Sequence, residues 1–178
     1  MMRRIALLAA VAVLAMFGAA PRAVSQTPPP EAQSIDTVRG TGRAHRDWQE
    51  ACEPEARGAV ICFIYQQLRH NGRAAANVTI GYKKQSKGPV AVINMPLGAI
   101  LLPDGLRIET DKGVDGWAPF QFCDVRGCHV ETELAPDLLQ AMQAGVEAWL
   151  VVRDLRGEPL RLRFSLLGLT AGLEALRR

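Results

Sequence analysis

The sequence predicts a mainly β protein, either an antiparallel β-sandwich or a partly closed barrel, with one or two short helices. Three observations support this prediction. Short runs of β-branched and aromatic residues recur from about residue 45 onward, Gly, Pro and Asp separate them, and only two segments have helical spacing. Of 178 residues, 48% are hydrophobic and 22% are charged, which suits one globular domain and excludes a largely disordered chain.

The first 25 residues have the pattern of an export signal. Arg3 and Arg4 precede an apolar run over residues 5–17, and small residues follow up to Ser25. This run is short for a membrane span, which needs about 20 residues, but it is typical of a cleaved signal peptide. We therefore predict a signal peptide over residues 1–25 and a periplasmic or secreted protein. The alternative is an uncleaved membrane anchor.

Residues 26–42 are predicted to form a Pro-rich flexible linker that includes Pro28, Pro29 and Pro30. The formal net charge of +3 comes from the signal, which holds three arginines and no acidic residue. Without those arginines, 18 Lys and Arg balance 18 Asp and Glu. Net charge therefore gives no argument for a nucleic-acid partner. A single domain is expected over residues 43–178, with no integral membrane segment after signal cleavage.

Nine segments of the domain have the alternating or continuous apolar pattern of strands. In chain order they are residues 61–65, 78–82, 90–95, 100–102, 106–109, 120–123, 128–131, 146–152 and 160–166. Residues 103–105, Pro-Asp-Gly, predict a hairpin turn between the two strands beside them. Residues 124–127 are expected to join another pair. The last segment alternates strictly, which predicts one buried and one exposed face.

Two segments interrupt the strands with helical spacing. Residues 136–144 begin with proline, carry an apolar face and end before Gly145. Residues 170–178 begin with Thr170, a residue type that caps helices, and end in two arginines that suit the negative end of a helix dipole.

The domain contains four cysteines: Cys52, Cys62, Cys123 and Cys128. An even number in an exported chain predicts structural disulfides, with three pairings open. We favour the pairing of sequence neighbours, because a strand-turn-strand would bring the last two face to face. Chain entropy does not decide, since a long-range link would stabilise by about 4–5 kcal/mol against about 2–3 kcal/mol for a local one. The alternatives are a redox centre and a zinc site that includes His129.

No motif specific for catalysis is found. None of the three histidines, His45, His70 and His129, falls in a nucleophile elbow, a metal-binding helix or a known triad pattern. A Ser/His/Asp set assembled from scattered positions is the alternative, because triads are recognised by their geometry. The sequence therefore predicts a non-enzymatic protein with no catalytic residue, no cofactor and no metal.

Two features suggest a binding surface. Lys83, Lys84 and Lys87 are a candidate basic patch, although an ordinary solvated hairpin end is the alternative we favour. Trp117 is a candidate recognition residue, although packing is the alternative we favour. Trp149 is expected in the core because it lies in an apolar strand.

The ordered set of motifs resembles the invasion-associated locus B family from about residue 48 to residue 176. The motifs that carry the resemblance are Trp48-x-x-x-Cys52, Cys62-Phe63-Ile64-Tyr65-Gln66-Gln67, Leu97-Gly98, Leu101-Leu102-Pro103-Asp104-Gly105-Leu106, Phe120-x-x-Cys123-x-x-x-Gly127-Cys128, the segment from Leu138 to Gly145, and Phe164-Ser165-Leu166-x-Gly168-Leu169. No single motif is specific, but their order is.

The resemblance implies a secreted or envelope-associated bacterial protein with four structural cysteines and no established catalytic residues. The family is named for a role in host-cell invasion. We therefore expect an exported binding module, linked to invasion or to envelope function, whose partner is a protein, a glycan or an envelope component. The alternative is a periplasmic enzyme or a thiol-redox accessory with a dispersed site.

Overall fold

The computed structural model describes residues 40–54 and 60–178. In chain order their elements are β1 (Gly40–His45), β2 (Trp48–Pro54), β3 (Val60–His70), β4 (Arg73–Tyr82), β5 (Pro89–Met95), β6 (Ile100–Leu101), β7 (Leu106–Thr110), β8 (Asp115–Ala118), β9 (Phe122–Asp124), β10 (Gly127–Glu133), α1 (Pro136–Ala144), β11 (Glu147–Asp154), β12 (Pro159–Ser165) and α2 (Leu169–Ala175). The predicted signal peptide lies outside the described residues, as does the predicted linker up to residue 39. Strand β1 begins at Gly40, within the last three residues of that linker.

The strands form two antiparallel sheets. The larger sheet has seven strands in the order β1-β2-β3-β4-β5-β10-β9. The smaller has the order β12-β11-β7-β8, and β6 also pairs with β11. The prediction of a mainly β, antiparallel fold is confirmed, and the sheets do not close into a barrel. In the described part of the chain, neither helix has the length and apolarity that crossing a membrane requires.

Side chains that alternate between two faces build one shared core. In β12, Leu162 and Phe164 are buried while Arg161 and Arg163, which alternate with them, are exposed, as the strict alternation predicts. Trp48 of the larger sheet is fully buried and meets the ring of Phe164 edge-on, with 6.4 Å between ring centroids. The helices close this core with Leu138 and Leu173.

A glutamine side chain links the two sheets by hydrogen bonds. Among the described strands β12 is at an edge, so one side of its backbone pairs with none of them. The amide nitrogen of Gln66 donates to the carbonyl oxygen of Ser165 at 2.7 Å, and its amide oxygen accepts from the Ser165 N–H at 3.1 Å. Gln66, on β3 of the other sheet, thus supplies the donor and the acceptor that a neighbouring strand would supply.

The predicted hairpin around residues 103–105 is wrong. Strands β6 and β7 do not pair with each other, because both pair with β11, one after the other along the same side. The turn between them, in which the Gly105 N–H donates to the Leu102 carbonyl at 3.0 Å, returns the chain to its original direction. Strand β8 is not among the nine segments that the sequence predicts as strands.

The helix at residues 136–144 has the predicted bounds, whereas the second helix differs. It begins at Leu169 after Gly168, and no side chain caps its first turn. Thr170 is therefore inside the helix rather than its cap. The two terminal arginines follow the end of the helix at Ala175.

Candidate functional site

Both disulfides join residues that face each other on neighbouring strands. Cys52 is opposite Cys62 on the β2–β3 pair, and Cys123 is opposite Cys128 on the β9–β10 pair. The predicted pairing of sequence neighbours is confirmed. All four sulfurs are engaged, which leaves no thiolate to ligate zinc together with His129.

The three candidate lysines and Trp117 do not form one surface. Lys83, Lys84 and Lys87 are exposed between β4 and β5, at one end of the larger sheet, where Lys83 forms an ion pair with Glu131. Trp117 lies on β8 of the smaller sheet. The candidate basic patch is therefore separate from the tryptophan.

The outward side of the smaller sheet gathers arginine and tryptophan side chains through strand register. One cross-strand row runs Arg161, Val151, Arg107, Trp117, and the next runs Arg163, Trp149, Glu109, Asp115. Strand β11 adds Arg153 beside them. We call this surface the arginine–tryptophan face and define it by Arg107, Arg153, Arg161, Arg163, Trp117 and Trp149.

Trp117 is exposed and yet held in place. It is 60% exposed, so the packing alternative for this residue is wrong. Its indole N–H donates to the carbonyl oxygen of Asp104 at 3.0 Å, and the ring lies against Gly105, where a Cβ atom would come within 2.7 Å of Nε1. The turn before β7 therefore positions the ring, which keeps a large surface open to solvent.

A cleft of about 460 Å³ beside Trp117 is lined by three of the arginines. Arg153 is paired with Asp104 at 3.0 Å, and Arg161 with Glu109 at 2.7 Å. Arg107 is 3.8 Å from Glu109, which is too long for a hydrogen bond. Of the three guanidinium groups in the cleft, that of Arg107 is thus the least engaged.

Trp149 does not lie in the core, contrary to the expectation. It is half-buried on the outward side of β11, where the guanidinium of Arg161 lies 5.0 Å from its ring centroid. Such a contact holds the arginine over the ring by a cation–π interaction. Ala148, Leu150 and Val152 are the residues of this strand that enter the core.

Sequence reasoning did not identify a polar cluster around His129. This buried ring hydrogen-bonds Asp124 Oδ1 through Nε2 at 2.9 Å, lies 3.2 Å from the Asn94 amide through Nδ1, and stacks on Phe122. Asp124 also accepts hydrogen bonds from Arg126. The His129 hydrogen bond, followed by those from Arg126, holds the pKa of Asp124 well below its usual range.

The His129 cluster has two members of a Ser/His/Asp set but not the third. Its ring contacts Asp124, Asn94 and Phe122 among the described residues, and none of these has a hydroxyl or thiol that could act as a nucleophile. The cluster is better explained as a set of contacts that stabilises the β9–β10 hairpin. The predicted β9–β10 pairing could have located it, because residue 129 must then lie opposite residue 122.

Comparisons with known proteins agree with this architecture. Residues 48–177 match the family described as "Invasion associated locus B (IalB) protein". The crystal structure of invasion associated protein B from Bartonella henselae is similar in fold, with a TM-score of 0.62 and 22% identity over 74% of this chain and 90% of that chain. No curated protein sequence matches the chain. Since the family match covers most of the sequence, the chain belongs to the invasion associated locus B family.

Proposed function

We propose that this chain is an exported, non-enzymatic binding protein, periplasmic or secreted, and that the arginine–tryptophan face is its binding surface. Family membership and the two disulfides support export, because disulfides persist in oxidising compartments. The arginine-rich start and apolar run of residues 1–25 support it further.

Exposed Trp117 is the single observation that carries the binding role. An ordered side chain loses conformational freedom, and burial of apolar area normally offsets that loss. Trp117 is ordered by its hydrogen bond to Asp104 and its contact with Gly105, although 60% of it stays in water. A partner that covers the ring would recover the missing burial. Tryptophan and arginine are also the residues that dominate the energy of binding surfaces.

Export is tested by fractionating the producing bacterium. The full chain is expected in the periplasm or the medium, and a chain without residues 1–25 is expected to stay in the cytoplasm. Cytoplasmic retention of the full chain would overturn the export proposal.

Binding at this face is tested with a photo-crosslinking amino acid in place of Pro159, an exposed residue that lines the cleft beside Trp117 and leaves the indole intact. The matched control carries the same amino acid at Val125, which is 88% exposed in the β9–β10 turn of the other sheet. Irradiation with envelope material is expected to give a saturable adduct from position 159 only. No adduct, or equal adducts from both positions, would contradict the proposal.

A further inference from the structure

We propose that the arginine–tryptophan face recognises an acidic sugar, with the ring of the sugar on Trp117 and its carboxylate on Arg107. This inference rests on the proposed binding function and names the chemical class of its ligand. A sugar ring has one apolar face of C–H groups and a polar edge. A carboxylated sugar therefore offers an aromatic platform and a guanidinium two different contacts.

The platform is preorganised. The hydrogen bond from Trp117 Nε1 to Asp104 and the close contact with Gly105 hold the indole before any ligand arrives. A ligand that stacks on this ring does not have to order it, so less of the interaction energy is lost. Tryptophan also provides a large contact area at a low cost in side-chain entropy.

The cation lies directly beside the platform. Arg107 and Trp117 are opposite each other on β7 and β8, and such cross-strand neighbours have Cβ atoms about 4.5–5.5 Å apart. The Arg107 side chain is 56% exposed, and its 3.8 Å approach to Glu109 leaves its donors available. A guanidinium binds a carboxylate through two parallel hydrogen bonds.

The size and charge of the cleft favour a ring with one negative charge. The cleft of about 460 Å³ falls within the roughly 300–1,000 Å³ of small-molecule sites. Its lining has Arg107, Arg153 and Arg161 against Asp104 and Glu109, an excess of one positive charge. The two carboxylates in the lining would repel a polyanion of high charge density, such as a nucleic acid. They can accept hydrogen bonds from the hydroxyl groups of a sugar.

The test compares an acidic and a neutral sugar of equal length on the intact protein. The probes are hexagalacturonate and maltohexaose, and the measurement is isothermal titration calorimetry at 50 mM and 300 mM salt. Wild-type protein is expected to prefer hexagalacturonate, and to bind it more weakly at the higher salt because exposed charges are screened.

Four variants separate the two contacts. Arg107→Gln is expected to weaken hexagalacturonate binding about tenfold or more, the effect of losing hydrogen bonds to a charged group, and to remove the preference for the acidic sugar. Trp117→Ala is expected to weaken binding of both sugars. Trp117→Phe is expected to weaken it less, because phenylalanine keeps an aromatic face but lacks the N–H that bonds Asp104. The control Arg73→Gln removes an exposed arginine of the larger sheet and is expected to change nothing.

Each other outcome overturns a defined part of the reasoning. Equal binding of both probes, still weakened by Trp117→Ala, contradicts the acidic class and leaves the binding face in place. Binding of neither probe, with an adduct still formed from position 159, contradicts a sugar ligand but not the proposed function. Equal losses in Arg107→Gln and Arg73→Gln would show a general charge effect and overturn the assignment to Arg107.

Discussion

Replacing Gln66 with Leu tests whether the hydrogen bonds between the sheets matter for stability. Leu keeps a similar volume but removes both bonds, leaving the N–H and the carbonyl of Ser165 without their partner. At about 1 kcal/mol per hydrogen bond, the loss is about 2 kcal/mol. With an m-value near 2 kcal/mol/M, the urea midpoint should fall by about 1 M.

Urea unfolding followed by circular dichroism measures this shift. Gln143→Leu, an exposed glutamine on α1, is the matched control and should leave the midpoint unchanged. Gln66→Glu sharpens the test: its charged carboxylate meets the Ser165 carbonyl, but the protonated form can donate to it. Its deficit should therefore shrink as the pH falls. A Gln66→Leu shift below about 0.3 M, or a Gln66→Glu deficit independent of pH, would show that these hydrogen bonds do not stabilise the fold.

Three further predictions follow from the hairpins and turns. Because the pKa of Asp124 is lowered in the folded protein, its carboxylate stabilises the fold fully above about pH 4 and less as the pH falls below that value. The difference in urea midpoint between wild type and Asp124→Asn should decrease over the same range. A difference that stays constant with pH would contradict this prediction. Replacing Cys52 and Cys62 by Ser should lower the free energy of unfolding by about 2.7 kcal/mol, and replacing Cys123 and Cys128 by about 2 kcal/mol, because the first disulfide closes the longer loop. Urea unfolding measures both losses. A larger loss for the second pair than for the first would argue against chain entropy as the cause. Gly105→Ala should shift the Trp117 fluorescence and weaken sugar binding, because the new Cβ would collide with the indole. The control is Gly157→Ala, which is also at positive φ but has open space around it, and it should alter stability alone.

Local periodicity was sufficient for much of the fold. The strict alternation of residues 160–166 predicted which side of β12 is buried, and proline at residue 136 with Gly145 predicted the bounds of α1. The hairpin at residues 103–105 failed because Pro-Asp-Gly specifies a turn, but not which strand pairs next. That choice depends on contacts with β11, which follows about 40 residues later.

The candidate site was only partly accessible from the sequence. Trp117 could be singled out because it lies between small residues, but its arginine neighbours come from three other strands. Nothing in the spacing of Arg107 and Arg161 relates them until the order β12-β11-β7-β8 is known. The prediction that Trp149 lies in the core failed for the same reason. Arginine side chains from another strand cover the outward side of β11, so this strand is nearly as apolar in sequence as a strand buried on both sides.

The positions of the disulfides also simplify how the chain can acquire them. On the proposed export route, the cysteines would leave a translocation channel in the order 52, 62, 123, 128, and each disulfide joins two successive arrivals. Linking every cysteine to the previous unpaired one therefore produces the correct set without any reshuffling. Such a chain requires an oxidant as it emerges but no isomerase to correct its bonds.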